Sequence, residues 1–260
     1  MLFRSAGVGR NLQDHLTIRV LHASKEKDLT YDLRRIDQAI LNVLRAIVTK
    51  SGPATAFPLE GGAFIRSRPE LEAPDLQIHF FPGVPVTRGF RHPFQKPLPD
   101  TYEGYGFCAT ICQLRPESRG DITLRSSDPF APPVIRANYL ATPGDKETLR
   151  AGVKIARNVL NQKAFAHMVS TEVAPGPSVT SDAGIDEFVA KNAGTVFHPV
   201  GTCRMGADPA SVVDEELRVR GVDGLRVADA SIMPLLVSSN TNAPTIMIAE
   251  KAAAMILASR

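Results

Sequence analysis

The chain has 260 residues, of which 43% are hydrophobic and 22% are charged, and its formal net charge is +3. These values are typical of a globular protein with one or two domains, and the lysines and arginines form no dense block of the kind that binds nucleic acid. Three cysteines without a CxxC motif favour a reducing compartment, and no apolar run is long enough to span a membrane. We therefore expect a cytoplasmic protein that is at most peripheral to a membrane.

The first part of the chain predicts one helix followed by several strands. Apolar residues recur at helical spacing over residues 31–49, and Ser51-Gly52-Pro53 ends this amphipathic helix. Apolar or alternating patterns predict three strands, at residues 63–65, 76–80 and 107–114. Residues 83–100 are rich in Pro, Arg, Gly and Lys and predict a long loop, which either rims a substrate pocket or is simply mobile.

Short strands and two further helices follow. Residues 120–126 alternate, with Ile122 and Leu124 expected to point inward, and residues 132–135 predict another strand. Helices are expected at 142–162 and 181–191, because both begin with Ser, Thr or Asp residues that suit a helix cap. Several strands with short links indicate an α+β fold with a mainly antiparallel sheet and helices.

The C-terminal stretch predicts a hairpin, a buried strand, a polar loop and a helix. Asp223-Gly224 lies between apolar runs, and residues 225–228 are apolar enough for a short core strand. Residues 238–242 are turn and cap residues, and Pro244 suits the first helical turn, where its missing N–H has no partner in any case. The helix is apolar nearly all round, so we expect it to be buried, with an N-terminus that suits an anion.

Three side chains in this region are candidates for chemistry. Pro199 and Gly201 fix a loop that presents His198, whose imidazole can take a proton near neutral pH. The plain alternative for His198 is a hydrogen-bonded loop histidine, and the alternative for Asn242 is a helix cap. Local sequence alone favours these structural roles. Asp229, at the end of the expected strand, has a capping carboxylate as its alternative.

The remaining cysteine, histidine and glycine motifs give weaker indications of function. Cys203 lies close to His198, but nothing nearby marks its thiol as reactive, so we expect a packing role. The other five histidines show no metal-ligand spacing with cysteines or carboxylates, so no metal site is predicted. Gly7-Val8-Gly9 matches part of the dinucleotide-binding GxGxxG pattern, but it lacks the preceding strand and the third glycine. It predicts a turn.

Three parts of the sequence resemble the glucose–methanol–choline (GMC) family of FAD-dependent alcohol oxidoreductases. They are GVGRNLQDH at residues 7–15, HPVGTCRMG at 198–206, and VADASIMP with SSNTNAPTIMIAEKA at 227–234 and 238–252. The sequences of these motifs are most similar to those of the choline dehydrogenase and alcohol dehydrogenase branch. The resemblance covers nearly the whole chain, and its two C-terminal motifs are long and specific.

The resemblance implies a reaction and the residues that perform it. His198 matches the catalytic acid/base of the family, and Asn242 matches a His or Asn that hydrogen-bonds the substrate oxygen. The positions that match cofactor contacts are Asp229, Ala230, Asn242, Ala243 and Pro244. The implied cofactor is FAD, and the start of the last helix would point at the flavin pyrimidine ring. The implied reaction oxidises the CH–OH group of a choline-like or other primary alcohol to an aldehyde, by hydride transfer to flavin N5.

By the same resemblance, the chain begins midway through a family member. Residues 1–20 would link to a missing FAD domain, residues 21–195 would bind substrate, and residues 196–260 would form the catalytic segment. This last segment would supply the C-terminal strands and helix of an FAD-binding domain whose N-terminal Rossmann part is absent, as in a truncated or split reading frame. The expected partners are a small alcohol and the missing half. The alternative is a non-catalytic remnant or binding module that keeps the fold without FAD.

Overall fold

The computed structural model describes residues 5–28, 30–31, 33, 35–55, 59, 61–84 and 104–259. The chain divides into two compact units that interleave along the sequence. The first unit comprises Met1–Leu16, Gln113–Glu147 and Gly194–Arg260, and the second comprises Thr17–Cys112 and Thr148–Ala193. The functional division expected at residues 20 and 195 stays a prediction.

Strands and helices alternate irregularly along the chain. The strands are β1 (Leu16–Ser24), β2 (Gly61–Ile65), β3 (Leu76–Phe81), β4 (Gly106–Gln113), β5 (Asp121–Thr123), β6 (Val134–Arg136), β7 (Val169–Ala174) and β8 (Gly194–Thr195). The α-helices are α1 (Ile36–Thr49), α2 (Pro143–Leu160), α3 (Asp182–Asn192) and α4 (Asn242–Ala258). The helices and strands expected before residue 200 are therefore confirmed, with ends that shift by a few residues.

The second unit is built on a sheet with the strand order β2-β3-β4-β1-β7. The pairs β1–β4, β1–β7 and β2–β3 are antiparallel, and Ile18 lies opposite Ile111 in the first of them. Both of these side chains are buried, as is nearly all of β4. These features confirm the α+β class with a mainly antiparallel sheet.

Helix α2 packs closely on this sheet. Its buried residues recur at helical spacing, and they are Leu149, Val153, Ala156 and Leu160. A Cβ at Gly152 would lie 2.6 Å from the Ile111 side chain, so glycine permits this close approach. The Arg157 guanidinium also donates to the Glu172 carboxylate on β7 at 2.6 Å, and both side chains are largely buried. An enclosed, hydrogen-bonded ion pair of this kind fixes how a helix sits on its strand.

The burial expected for α4 is wrong in this structure. Ile248 and Ala252 are the buried residues of the helix, while Ile246, Met247 and Leu257 are exposed by more than half. The reason is geometric: the core of the first unit covers one stripe of the helix, and an all-round apolar composition does not say how many sides have a neighbour. Helix α1 is similar, since Ala39 is its buried residue and its large apolar side chains are exposed by 36% at Ile36 to 79% at Val48.

The hairpin expected around Asp223-Gly224 forms only as single bridges. Arg218 pairs with Arg226, but no strand is assigned to the described residues 225–228, and Leu225 is 50% exposed. Gly221 and Gly224 both have positive φ, which places them in tight turns. The residues in these turns are therefore not available for a longer run of paired strand residues. The expected buried strand is therefore wrong.

Three smaller points complete the fold. Leu124, expected to point inward, is 88% exposed because β5 ends at Thr123. The loop expected at residues 83–100 falls, beyond Val84, outside the described residues. Among the residues that the structure describes, no helix has both the length and the apolar character needed to cross a bilayer.

Candidate active site

Residues 9–13 and 200–202 of the first unit run side by side and form the base of the site. Gln13 and Val200 exchange backbone hydrogen bonds of 3.1 and 2.9 Å, and the Gly9 N–H donates to the Thr202 carbonyl at 2.8 Å. Gly201 has a φ of +93°, and a Cβ there would collide with the backbone carbonyl of Asn11. Glycine is therefore required for the loop that follows His198 to approach so closely. The turn expected at residues 7–9 is confirmed.

The backbone of His198 is held by a buried carboxylate. Asp14 Oδ1 accepts a hydrogen bond from the His198 N–H at 2.9 Å. Its Oδ2 accepts from the Tyr139 hydroxyl at 2.6 Å and from Thr195 Oγ1 at 2.5 Å. Burial, together with Asp14, raises the pKa of Tyr139 to about 12, so the phenol stays a donor. Asp14 thus ties the start of the His198 loop to two other parts of the first unit.

The ring of His198 is held by a second histidine. Its Nδ1 lies 2.9 Å from His15 Nδ1, and the two ring planes are 80° apart. On its other side, His15 Nε2 lies 3.0 Å from the Val237 carbonyl oxygen and 3.2 Å from that of Leu114. His15 is completely buried, whereas His198 is half-buried. One edge of the His198 imidazole is therefore fixed.

The surroundings keep His198 neutral. Burial lowers the pKa of His198 below the ordinary histidine value, and the nearby Asp14 carboxylate opposes this only in part. A neutral imidazole has one nitrogen with a free lone pair and can accept a proton. The site therefore holds a fixed, partly accessible base.

Gln13, which pairs with Val200, also hydrogen-bonds the loop that leads to α4. Gln13 Nε2 donates to the Pro234 carbonyl at 3.0 Å, and Gln13 Oε1 accepts from the Leu236 N–H at 3.1 Å. The Cys203 N–H donates to the Ser231 carbonyl at 2.9 Å. The His198 loop and residues 229–237 are thus connected to one another by backbone contacts.

Asp229 lies at the surface of the first unit, while Ala230 is partly buried against its hydrophobic core. Asp229 is exposed, and its Oδ1 accepts a 2.7 Å hydrogen bond from the Ser231 N–H at the start of the 3₁₀ helix Ala230–Ile232. The capping role weighed for this carboxylate is therefore present. A contact of either residue with a cofactor stays a prediction.

Asn242 is exposed and is the first residue of α4, with Thr241 at the N-cap. The cap role weighed for Asn242 is therefore wrong, while Pro244 does lie in the first turn as expected. The Thr241 side chain makes no capping hydrogen bond, and the first turn contains no acidic residue. The amides at this helix start, including that of the exposed Ala243, are open to an anionic group from outside the described chain.

Sequence reasoning found His198 but missed the residues that hold it: Asp14, His15, Tyr139 and Thr195. A signal for the first two exists in the sequence, because both belong to residues 7–15, which match the family. No local pattern marks Tyr139 or Thr195, which meet Asp14 through the tertiary fold. For Cys203, burial raises the pKa of the thiol, which makes it less reactive and suits the packing role.

Comparison with known proteins gives a consistent result. A family model described as GMC oxidoreductase matches residues 116–249. The alcohol dehydrogenase [acceptor] of Pseudomonas putida is 44% identical over 96% of this chain, and the mitochondrial choline dehydrogenase of Homo sapiens is 42% identical over 96%. A solved structure of formate oxidase from Aspergillus oryzae superposes with a TM-score of 0.84 at 27% identity over 98% of this chain.

The chain spans less than half the length of the curated relatives it matches. It covers 44% of the Pseudomonas putida protein and 41% of the human one. It also covers 48% of the formate oxidase chain. The activities in those names belong to proteins about twice as long as this chain.

Proposed function

This chain belongs to the GMC oxidoreductase family, and we propose that it forms the catalytic and substrate-binding region of an FAD-dependent alcohol oxidoreductase. The reaction would convert the CH–OH group of a choline-like or other primary alcohol to an aldehyde. The observation that carries this proposal is the half-buried His198 imidazole, kept neutral by burial and held between Asp14 and His15. The names of the alcohol and choline dehydrogenases it resembles support the substrate class.

The start of α4 has the chemistry that an anionic part of FAD would need. The start of α4 offers backbone N–H groups that neither a side-chain cap nor an acidic residue occupies, and a helix start favours negative charge by about 0.3–1 kcal/mol. The residues that would hold the cofactor are Asp229, Ala230, Asn242, Ala243 and Pro244. When bound, FAD would supply the hydride acceptor.

The protein's own groups would handle the proton and the oxygen of the alcohol. His198 would accept the hydroxyl proton, since its pKa lies below the ordinary value and the ring is neutral at the start of the reaction. Asn242 would donate an amide hydrogen bond to the substrate oxygen. Residues 21–195 would contribute pocket walls, and residues 196–260 would carry the catalytic groups.

Reconstitution tests this function directly. The chain would be combined with the N-terminal FAD-binding region of a relative and purified, and a panel of alcohols including choline would be mixed with it without oxygen. Bleaching of the flavin absorbance by at least one primary alcohol is expected. Bound flavin that no alcohol bleaches would contradict the proposal and favour a binding module.

The chain on its own is expected to retain FAD weakly and to self-associate. Its sequence contains no complete GxGxxG motif to hold the pyrophosphate on a helix N-terminus, and α4 exposes Ile246, Met247 and Leu257. Flavin absorbance after gel filtration and light scattering would measure the two effects. Stoichiometric, tightly bound FAD in a monomer would contradict this expectation.

Asp229→Ala is expected to weaken FAD retention in the reconstituted enzyme more than it alters the choice of alcohol. Asp229 is an exposed carboxylate beside residues that match cofactor contacts, and within the described part of the chain its carboxylate accepts a backbone hydrogen bond from the local Ser231 N–H. The flavin-to-protein ratio after dialysis and the rate ratio for two alcohols would be compared. Asp223→Ala, at an exposed turn of the same unit, is the control. An unchanged flavin content with altered substrate preference would place Asp229 in a different role.

A further inference from the structure

The proton on the His15 ring is located by its neighbours. His15 Nε2 lies 3.0 Å from the Val237 carbonyl oxygen and 3.2 Å from the Leu114 carbonyl oxygen. Carbonyl oxygens only accept hydrogen bonds, so this nitrogen must carry a proton and donate it. A bare Nε2 would place its lone pair against two oxygens in a fully buried site.

The other nitrogen of His15 then has no proton. Burial and the neighbouring His198 lower the pKa of His15 to about 4, so the ring is neutral near neutral pH and carries a single N–H. That N–H is at Nε2, which leaves a lone pair at Nδ1. His198 Nδ1 lies 2.9 Å from this nitrogen, within hydrogen-bonding distance of the lone pair.

The contact between the two rings works as a hydrogen bond in one direction only. Because His15 Nδ1 must accept, His198 Nδ1 must donate. The rings meet edge to face at 80°, with centroids 5.2 Å apart, so they are not stacked and an in-plane N–H can reach the partner nitrogen. The opposite tautomer of His198 would bring two lone pairs together at hydrogen-bonding distance.

We propose that His15 is a positioning residue that locks His198 in the Nδ1–H tautomer and so leaves the lone pair at Nε2. Within the described chain, no hydrogen bond engages His198 Nε2. Asp14 does not make the same selection, because it bonds the backbone N–H of His198 and not its ring. The catalytic consequence rests on the proposed function: the lone pair that takes the alcohol proton would be the one at Nε2.

Two substitutions of His15 separate this role from simple packing. In His15→Gln, the side-chain amide N–H can donate to the two carbonyls while its oxygen accepts from His198 Nδ1. In His15→Phe, a ring of similar size fills the space but offers neither a donor nor an acceptor. His15→Gln should keep His198 in the Nδ1–H tautomer, and His15→Phe should allow His198 to adopt both tautomers.

Nitrogen NMR of the chain labelled with ¹⁵N-histidine measures the tautomer without flavin or alcohol. Spectra would be recorded well above the pKa of both rings, and His198→Asn would identify the His198 signals by their loss. The parent chain and His15→Gln should show His198 protonated at Nδ1 and bare at Nε2. His15→Phe should lose this single pattern and show exchange between both tautomers, while the backbone amide signals of the first unit, recorded on a uniformly ¹⁵N-labelled sample, stay dispersed as a folding control.

Two results would overturn the proposal. One is a parent spectrum with His198 protonated at Nε2, which decides the matter even where a variant does not fold. The other is a folded His15→Phe chain in which His198 keeps a pure Nδ1–H form. Neither result depends on alcohol oxidation, so a failure here is distinct from a failure of the proposed function.

Discussion

Replacing His198 with alanine in the reconstituted enzyme is expected to slow flavin reduction by alcohol by about 10²–10⁴-fold, the usual contribution of a positioned base. A hydride leaves an alcohol carbon readily only if the hydroxyl proton leaves as well, and His198 is a neutral, fixed imidazole that can take that proton. Stopped-flow measurement of flavin bleaching without oxygen gives the rate. His167→Ala, which removes an exposed histidine, is the control.

The pH dependence gives this prediction a second readout. A base works only when unprotonated, and burial lowers the pKa of His198. The rate in the parent enzyme should therefore hold through neutral pH and fall only as the pH drops through that lowered pKa. The alanine variant should lose this acid limb. A variant that reduces flavin at the parent rate from neutral to alkaline pH would show that the loop serves the fold alone.

Asn242→Ala should cost less than His198→Ala, because it removes a neutral hydrogen bond and leaves the base in place. The double variant should be less than additive, since both groups act on one oxygen atom. Full additivity in the same stopped-flow assay would mean that the two side chains act on different steps. The exposed position of Asn242 at the start of α4 makes the substitution compatible with an intact helix.

The sequence was sufficient for the elements whose signals are local. Periodicity predicted β4 and α2, and proline and glycine spacing predicted the fixed loop after His198. The site was only half predictable, because the partners of His198 are Asp14 and His15, far away along the chain. A hydrogen bond across such a separation leaves no local trace, and only the family match at residues 7–15 hinted at it.

The errors share a physical cause. An apolar helix predicts burial, but α4 finds neighbours for one stripe only. An Asp-Gly turn predicts a hairpin, but two positive-φ glycines leave room for single bridges. Asn242 looks like a cap, but the helix begins one residue earlier than expected, at the Thr241 cap. In each case the residue type was informative and the tertiary surroundings decided the outcome.

The buried carboxylate of Asp145 offers the largest expected effect on stability. It is 1% exposed, and its Oδ1 accepts from Gln113 Nε2 at 2.7 Å and from the Glu117 N–H at 2.8 Å. Its Oδ2 accepts from the Ser118 N–H at 3.0 Å and from the Ser118 hydroxyl. Each oxygen accepts from at least one backbone N–H, so replacing either oxygen with an amide nitrogen places two donors against each other.

Asp145→Asn is therefore expected to lower the free energy of unfolding by about 3 kcal/mol, since hydrogen bonds to charged groups contribute roughly 1.5–3 kcal/mol each and buried donors left unpaired add a cost. Asp223→Asn, at an exposed turn in the same unit, should change it by less than about 0.5 kcal/mol. Urea titrations followed by circular dichroism would measure both. Equal losses in the two variants would contradict the assignment.

The pH dependence of Asp145 has a definite sign. Burial by itself raises the pKa of this carboxyl, but the hydrogen bonds from Ser118, Glu117 and Gln113 outweigh it and hold the pKa below the ordinary value. The folded chain thus binds this proton less readily than the unfolded chain, whose aspartate has a pKa of about 3.9. The stabilisation is complete above that value and is lost as the pH falls through the lower, folded pKa. The difference in unfolding free energy between parent and Asp145→Asn should shrink over that acid range, and a difference that stays constant there would show that the carboxylate charge contributes nothing.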